Sequence, residues 1–509
     1  QNGAFTCQHL HRNAVTVVIS TLTGLYSIVR QQEKHHLHNM NFSELFRQSH
    51  QLCRFSPDGK FLASVVDYRL VVRDVETLQI QQLFSCQDAI QYIEWSPDSL
   101  FILCGMFKRG IVQVWSIENP DWYCKVDEGS AGLCAVRWAP DGRHILTTAD
   151  FHLRITVWSL VNKSVSYIRY PKQCEKGLDF SEKGKYMALA ERRDCKDYVS
   201  IFSCDTWSLV RHFETETDDL GGLQWSPDGR VLCVWDSCLT YQLLLYSVDG
   251  RCLGKYSAYQ FALGIKCVTW SPSSQFLAIG SFDEKVRILN HITWKTICTL
   301  SHPTTVEGNK LVVYRETQTK TSTSNAPELT APAATLFVGQ SKYEIETCPA
   351  SIPVSKPAMN KANPKVGVSM GAFSADCKYM FTKNDNMPTV LWIWDVRRLT
   401  QCAVLIQASN IKCVQWDPQK PRLALCTGTN KLYMWSPEGS LCVDVPAEAS
   451  FQVMALQWQP DGGSLLLLGR DQMCVCFLTT PGDGNDSTAH TTITTNNLTN
   501  SVSAPAAAT

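Results

Sequence analysis

Phe55-Ser56-Pro57-Asp58-Gly59 opens a phrase that returns as Trp95-Ser96-Pro97-Asp98, Trp138-Ala139-Pro140-Asp141-Gly142 and Trp225-Ser226-Pro227-Asp228-Gly229. Each copy reads as a short strand closed by an aromatic, then a tight turn in which Pro fixes φ and Asp-Gly accepts the left-handed position. An apolar run such as Phe61-Leu62-Ala63-Ser64-Val65-Val66 follows. A third strand of alternating β-formers often ends in Trp plus a small or acidic residue, as in Ile155-Thr156-Val157-Trp158-Ser159 and Leu391-Trp392-Ile393-Trp394-Asp395. A weaker outer strand, residues 78–84 in the first copy, completes the unit.

With the aromatic as ruler, the phrase falls at Phe55, Trp95, Trp138, Phe180, Trp225, Trp270, Phe373, Trp416 and Trp458, in steps of 40, 43, 42, 45, 45, 103, 43 and 42. A period of 40–45 residues filled with strands is what propeller blades produce. The long step equals one blade plus an insertion of about 60 residues. The predicted fold is all-β: one closed β-propeller ring of eight or nine four-stranded blades, with seven blades plus extra repeats as the alternative. A sheet repeated around an axis leaves raw edges unless its ends meet. The last repeat breaks at Thr479-Thr480-Pro481-Gly482-Asp483-Gly484 with no outer strand, so Phe42-Ser43-Glu44-Leu45-Phe46 is predicted to supply it.

The chain divides accordingly. Residues 1–39, ahead of the first methionine Met40, read as an extension that is disordered or not native; residues 40–300 hold blades 1–6 and residues 371–480 blades 7–9. Residues 301–370 form an insertion, with strands predicted at 310–314 and 334–338 and an ordered loop crossing the ring at 341–346 and 361–365. Residues 481–509, rich in Thr, Asn, Ser and Ala, are predicted to be disordered.

Of 509 residues 44% are hydrophobic and 10% aromatic, enough for a large core. Lys plus Arg is 47 and Asp plus Glu is 47, so there is no global field to gather nucleic acid or an anionic membrane. Residues 15–29 are apolar but short and broken by Ser and Thr, unlike a membrane span or signal peptide. The 22 cysteines, many inside apolar strands (Cys104, Cys233, Cys267, Cys413, Cys426), read as reduced, buried small hydrophobes of a cytosolic protein. Cys474-Val475-Cys476 has strand spacing and no second ligand pair, so no metal is expected. No Gly-x-Ser-x-Gly elbow, phosphate-cradling loop or His-Glu-x-x-His occurs, and neither catalysis nor a cofactor is expected.

Over roughly residues 41–479 the repeat resembles the WD-repeat family, in a divergent version. Only Trp394-Asp395 is a true Trp-Asp at the family position and no Gly-His dipeptide occurs, so the family's buried Asp-His-Ser-Trp network is not expected. Residues 40–46, 127–133, 151–160, 190–202 and 270–278 together resemble the centrosomal, WRAP-type branch of the family. That resemblance implies residence at centrosomes, centriolar satellites and spindle poles, and a coiled-coil anchoring partner of the afadin- and alpha-actinin-binding (SSX-interacting) type. It also implies microtubule minus-end anchoring, spindle assembly and early ciliogenesis. It supplies no binding residues.

Candidate docking residues therefore come from the turns. Glu191, Arg192, Arg193, Asp194, Lys196 and Asp197 form the densest charge cluster of the domain, in a turn longer than the fold requires. Phe151, His152 and Arg154 occupy a similar turn, and Asn384, Asp385 and Asn386 a third, where turn geometry alone also explains them. Solvated turns account for the same residues. Zero net charge argues against direct microtubule binding and favours attachment through the partner. A ribosome- or translation-associated scaffold is the alternative.

Overall fold

Nine blade sheets, eight of them wholly antiparallel, and a two-stranded sheet of Thr305–Val306 with Ala350–Ser351 make up the computed structural model, which describes residues 40–478 apart from 175, 309–310, 319–340, 358–359, 361–363 and 448–449. The readings made for residues 1–39, 334–338, 361–363 and 481–509 lie outside the described residues. The innermost strands are Cys53–Phe55, Tyr92–Trp95, Ala135–Trp138, Leu178–Phe180, Leu220–Trp225, Ile265–Trp270, Val368–Phe373, Cys413–Trp416 and Ala455–Trp458, and each ends on a ruler aromatic.

The recurring turn explains its own sequence. Ser56, Ser96, Ser226 and Ser374 each donate a hydroxyl to the Asp two residues on, at 2.5–2.6 Å. The same hydroxyl oxygens accept the backbone N–H that restarts the next strand, at 2.9–3.0 Å. Gly59 sits in this turn at φ +76°, where a side chain would be strained.

The ruler aromatics join one blade to the next. The indoles of Trp95, Trp138, Trp416 and Trp458 donate to the carbonyls of Arg54, Glu94, Ala372 and Gln415, at 3.1, 3.0, 2.9 and 3.2 Å. Each acceptor directly precedes the ruler of the preceding blade. Trp225 and Trp270 bury their indole N–H groups without a partner.

Nine apolar clusters fill the nine gaps between blades. One of them packs Cys53, Phe55 and Leu62 of blade 1 against Leu466, Leu468, Met473 and Val475 of blade 9. Gln459 Nε2 also reaches the Gly59 carbonyl at 2.9 Å. The ring is therefore closed with nine blades. Its last blade is completed as expected from the N-terminal side, in two pieces: Met40–Phe42 and Phe46–Arg47 both pair antiparallel with Gln472–Leu478. Between them Ser43 Oγ accepts the Val475 N–H at 2.9 Å.

Blade 7 departs from the four-stranded plan. Val312–Gln318 adds to its outer strand, Thr400–Ile406, in parallel, and Ser341–Glu346 pairs antiparallel with that addition. The strand expected near 310–314 is present, whereas 341–346 is a sixth strand rather than a crossing loop. Glu316 explains why the hairpin stays down. Its buried carboxylate accepts from Tyr433 Oη at 2.9 Å and from the Ala408 N–H at 2.8 Å, with Lys431 Nζ at 3.6 Å.

Blade 7 builds a partial relative of the family's buried polar network, with Thr for Ser and a backbone carbonyl in the place of the Asp. Trp394 Nε1 donates to Thr382 Oγ1 at 2.8 Å, and Thr382 lies 2.8 Å from His302 Nε2. His302 Nδ1 donates to the Glu284 carbonyl at 2.7 Å. Because Nδ1 must carry the proton, Nε2 accepts the Thr382 hydroxyl, and the imidazole is neutral; burial pushes its pKa down to about 4. Blade 3 holds a carboxylate version, in which Trp158 Nε1 reaches Thr147 at 2.8 Å and buried Glu128 at 3.1 Å.

Candidate partner-docking face

Antiparallel connectivity places every second-to-third-strand turn and every blade-to-blade crossing on one face, here the upper, and the Ser-Pro-Asp-Gly turns on the other. All three predicted turns are second-to-third-strand turns, so all lie on the upper face. Their surroundings differ.

In blade 3, between His144–Thr148 and Arg154–Ser159, Phe151 and His152 hold φ of +56° and +53°. Left-handed backbone at a bulky residue is uncommon and costs about 1 kcal/mol or more. Here it lifts Phe151 to 89% exposure, with Leu153 at 64% beside it. Arg154 is anchored below by Glu128 at 3.3 Å and lies over the Tyr167 ring, 5.0 Å from its centroid.

In blade 4 the expected long charged loop is instead a projecting hairpin. Tyr186–Arg193 and Lys196–Ser203 are paired as far as Arg193↔Lys196. Only Asp194 and Cys195 turn the chain, at φ of +50° and +62°, the pattern of a two-residue hairpin turn. Glu191 is buried, which pushes its carboxyl up, while the Ser200 hydroxyl opposes the shift. Asp197 is also buried and accepts from Lys172 at 2.9 Å, Arg192 at 3.2 Å and the Leu220 N–H at 2.6 Å. Lys172 and Arg192 share Asp219 as well, at 2.7 and 2.9 Å, and hold its carboxyl below the usual range. Glu191, Arg192 and Asp197 are thus committed to holding blade 4 and its junction with blade 5. Arg193 and Asp194 remain exposed, Arg193 over the Tyr170 ring at 4.5 Å, and Lys196 pairs with Glu214 at 2.8 Å in solvent.

In blade 7 the polar turn is spent internally. Asn384 and Asn386 are buried and donate to the two Glu284 carboxylate oxygens at 3.0 and 2.7 Å, tying blade 7 to blade 6. Asp385 pairs with Lys266 at 2.6 Å and accepts from Ser369 at 2.6 Å.

Sequence reading missed Leu153 and Tyr170 on this face, and three further apolar side chains over blades 5 and 6. Leu239, in the second-to-third-strand turn of blade 5, is 73% exposed; Phe261, in the crossing to blade 6, is fully exposed at φ +60°, with Leu263 nearby. A clue was available, since Tyr259-Gln260-Phe261-Ala262-Leu263 is unusually apolar for a connection. Phe151, Leu153, Tyr170, Leu239 and Phe261 thus form an arc over blades 3 to 6, with Arg154 and Arg193 between them.

The fold defines a WD-repeat propeller, and its upper face exposes an arc of aromatic, leucine and arginine side chains. The family model for the WD domain, G-beta repeat, matches residues 250–290. In that segment Asp283 of the blade 6 turn accepts the Ser281 hydroxyl and pairs with Arg287 at 2.5 Å. The chain belongs to the WD-repeat family that includes mouse WD repeat-containing protein WRAP73, to which it is 58% identical over 445 residues, 87% of this chain and 96% of the mouse protein. An uncharacterized WD repeat-containing protein of Schizosaccharomyces pombe is 24% identical over 473 residues, 86% of this chain and 93% of its own length. Among solved structures, the C-terminal WD40 domain of Sif2 aligns with a TM-score of 0.47 at 11% identity, covering 86% of this chain and 99% of that domain. Among the described residues no helix is long and apolar enough to cross a membrane.

Proposed function

We propose that the chain is a non-catalytic scaffold that docks a coiled-coil anchoring protein of the afadin- and alpha-actinin-binding (SSX-interacting) type on the upper face of blades 3 to 6. It does so at the centrosome, centriolar satellites and spindle poles, and through this partner supports microtubule minus-end anchoring, spindle assembly and early ciliogenesis. The observation that carries the docking reading is the arc itself. A coiled-coil partner buries its apolar seam between its own helices and presents the flanking charged positions, often Glu, which Arg154 and Arg193 complement. Rigid aromatic anchors spaced by arginines are the residues that contribute most at protein interfaces. The cellular reading is supported by the resemblance phrases, since 127–133, 151–160 and 190–202 each contain an upper-face connection of blades 2 to 4.

The test is capture of partners from cell extract by the full chain and by a Phe151→Ala/Phe261→Ala variant of equal circular dichroism. Retention of the coiled-coil protein by the wild type and its loss from the variant is the expected result. Equal retention would remove the arc from the interface. Capture of ribosomes with no centrosomal protein would replace the cellular assignment with the translation-associated alternative.

A further inference from the structure

The innermost strands start at the upper face, so the residues just ahead of or opening them rim the central channel there. On blades 2, 3 and 9 these positions hold Gln91, Cys134 and Met454. On the other side of the ring they hold Lys176, Lys266, Lys365 and Lys412, from blades 4, 6, 7 and 8, with Asp219 of blade 5 between them already paired with Lys172 and Arg192. Lys383, at the upper end of the second strand of blade 7, joins them.

The charge of this rim is not balanced. Lys266 Nζ pairs with Asp385 at 2.6 Å and donates to the Val366 carbonyl at 2.8 Å. Lys365, Lys383 and Lys412 make no ion pair among the described residues. Lys383 is half-buried and within electrostatic reach of Lys365, Lys412 and Lys266; burial and these like charges lower its pKa, with only Asp385 opposing. The next carboxylate outward, Glu284, is occupied by Asn384 and Asn386. Beside the rim a cavity of about 400 Å³ is lined by Lys176, Lys266, Ser237, Ser369, Trp235 and Asp236. Burial pushes the Asp236 carboxyl up to about 6, so at neutral pH it is still ionised and serves as the counter-charge of Lys176 and Lys266 on the cavity side.

We propose that this rim is a binding site for a small polyphosphorylated anion, held at the channel mouth by Lys266, Lys365, Lys383 and Lys412. Ammonium groups that outnumber the carboxylates near them repel one another, and a multivalent anion turns that repulsion into attraction. Lysines act as point charges suited to phosphate, and the adjoining cavity is of small-ligand size. The lysines come from three adjoining blades, and Lys266, Lys365 and Lys412 all act electrostatically on Lys383, a cluster around one residue that favours a compact anion over an extended acidic peptide.

Calorimetric titration of the full chain with inositol hexakisphosphate and with inorganic tripolyphosphate tests this, supported by thermal shift, because a ligand of the folded state raises the melting temperature. One saturable site is expected. Binding of both probes assigns the site to the phosphate chain; binding of the inositol compound alone assigns it to inositol polyphosphates. Lys383→Gln/Lys412→Gln should weaken binding at least about tenfold, the worth of one charge-assisted hydrogen bond. Lys108→Gln/Arg109→Gln, an equal charge loss on the same face of blade 2, should leave it unchanged. If the first variant misfolds, Lys412→Gln alone, at an exposed position, carries the test. Absence of saturable binding, equal weakening by both double variants, or binding of a poly-glutamate peptide but neither phosphate probe would overturn the proposal.

Discussion

Acidification should find a specific weak point at His302. In the folded protein this imidazole titrates at about 4, because burial excludes the charged form and Nε2 is already an acceptor for Thr382. In the unfolded chain it titrates near its ordinary 6.5. Between these values the unfolded chain binds the extra proton, so stability is fully present above pH 6.5 and is lost as pH falls toward 4. At pH 4 the loss from this one group comes to about 3 kcal/mol. With roughly 400 ordered residues the unfolding entropy is about 0.8 kcal/mol per kelvin, so the melting temperature should fall by about 3 to 4 °C on this account alone. The buried carboxyls of Glu94, Asp179, Glu191 and Asp236, all titrating above their usual range, act in the opposite direction, so the wild-type curve by itself is not diagnostic. The informative quantity is the difference from His302→Gln, followed by scanning calorimetry between pH 7.5 and 4. The variant starts lower, having lost the hydrogen-bond chain, and the gap should close by about 3 kcal/mol on acidification. Parallel pH profiles for the two proteins would refute the neutral, Nδ1-protonated assignment.

Deleting residues 40–47 removes both strands that close blade 9 and bares the edge of Gln472–Leu478. The truncated chain should elute as concentration-dependent oligomers in size-exclusion chromatography, because an unpaired edge recruits other strands. Glu316→Ala leaves Tyr433, the Ala408 N–H and Lys431 facing an empty buried position, at a cost of about 3 kcal/mol. Its signature should be faster hydrogen exchange and proteolysis confined to the added hairpin of blade 7, with the rest of the ring unaffected.

What could be read from the sequence was what the chain specifies locally. The Ser-Pro-Asp-Gly turn is built from hydrogen bonds within six residues, so its recurrence located every ruler aromatic and hence the blades. The closing strand was legible because the last repeat visibly lacks one. The hidden features are those that depend on distant residues. His302 meets Thr382 across 80 positions, the insertion falling between them, so no Gly-His-like spacing marks it. Val312–Gln318 finds its parallel partner only after the insertion has returned to the ring. The docking turns looked alike because composition does not report burial. Asn384 and Asn386 point inward to Glu284, whereas Phe151 stands in solvent, and only packing separates them. In blade 4 the charges of Arg192, Arg193 and Lys196 disguised two paired strands as a loop.

The clasp between the first described strand and the last has a bearing on how the protein is made. Ser43 and Cys474, which meet in blade 9, are 431 positions apart. At the usual 5 to 20 residues per second of synthesis, the first waits roughly 20 to 90 s for the second to leave the ribosome. Throughout that interval the nascent chain is an open arc with two raw ends, and it locks only when translation has passed Leu478. Closure therefore reports that synthesis has passed the last blade. A chain cut short at any blade keeps an unpaired sheet edge at each end.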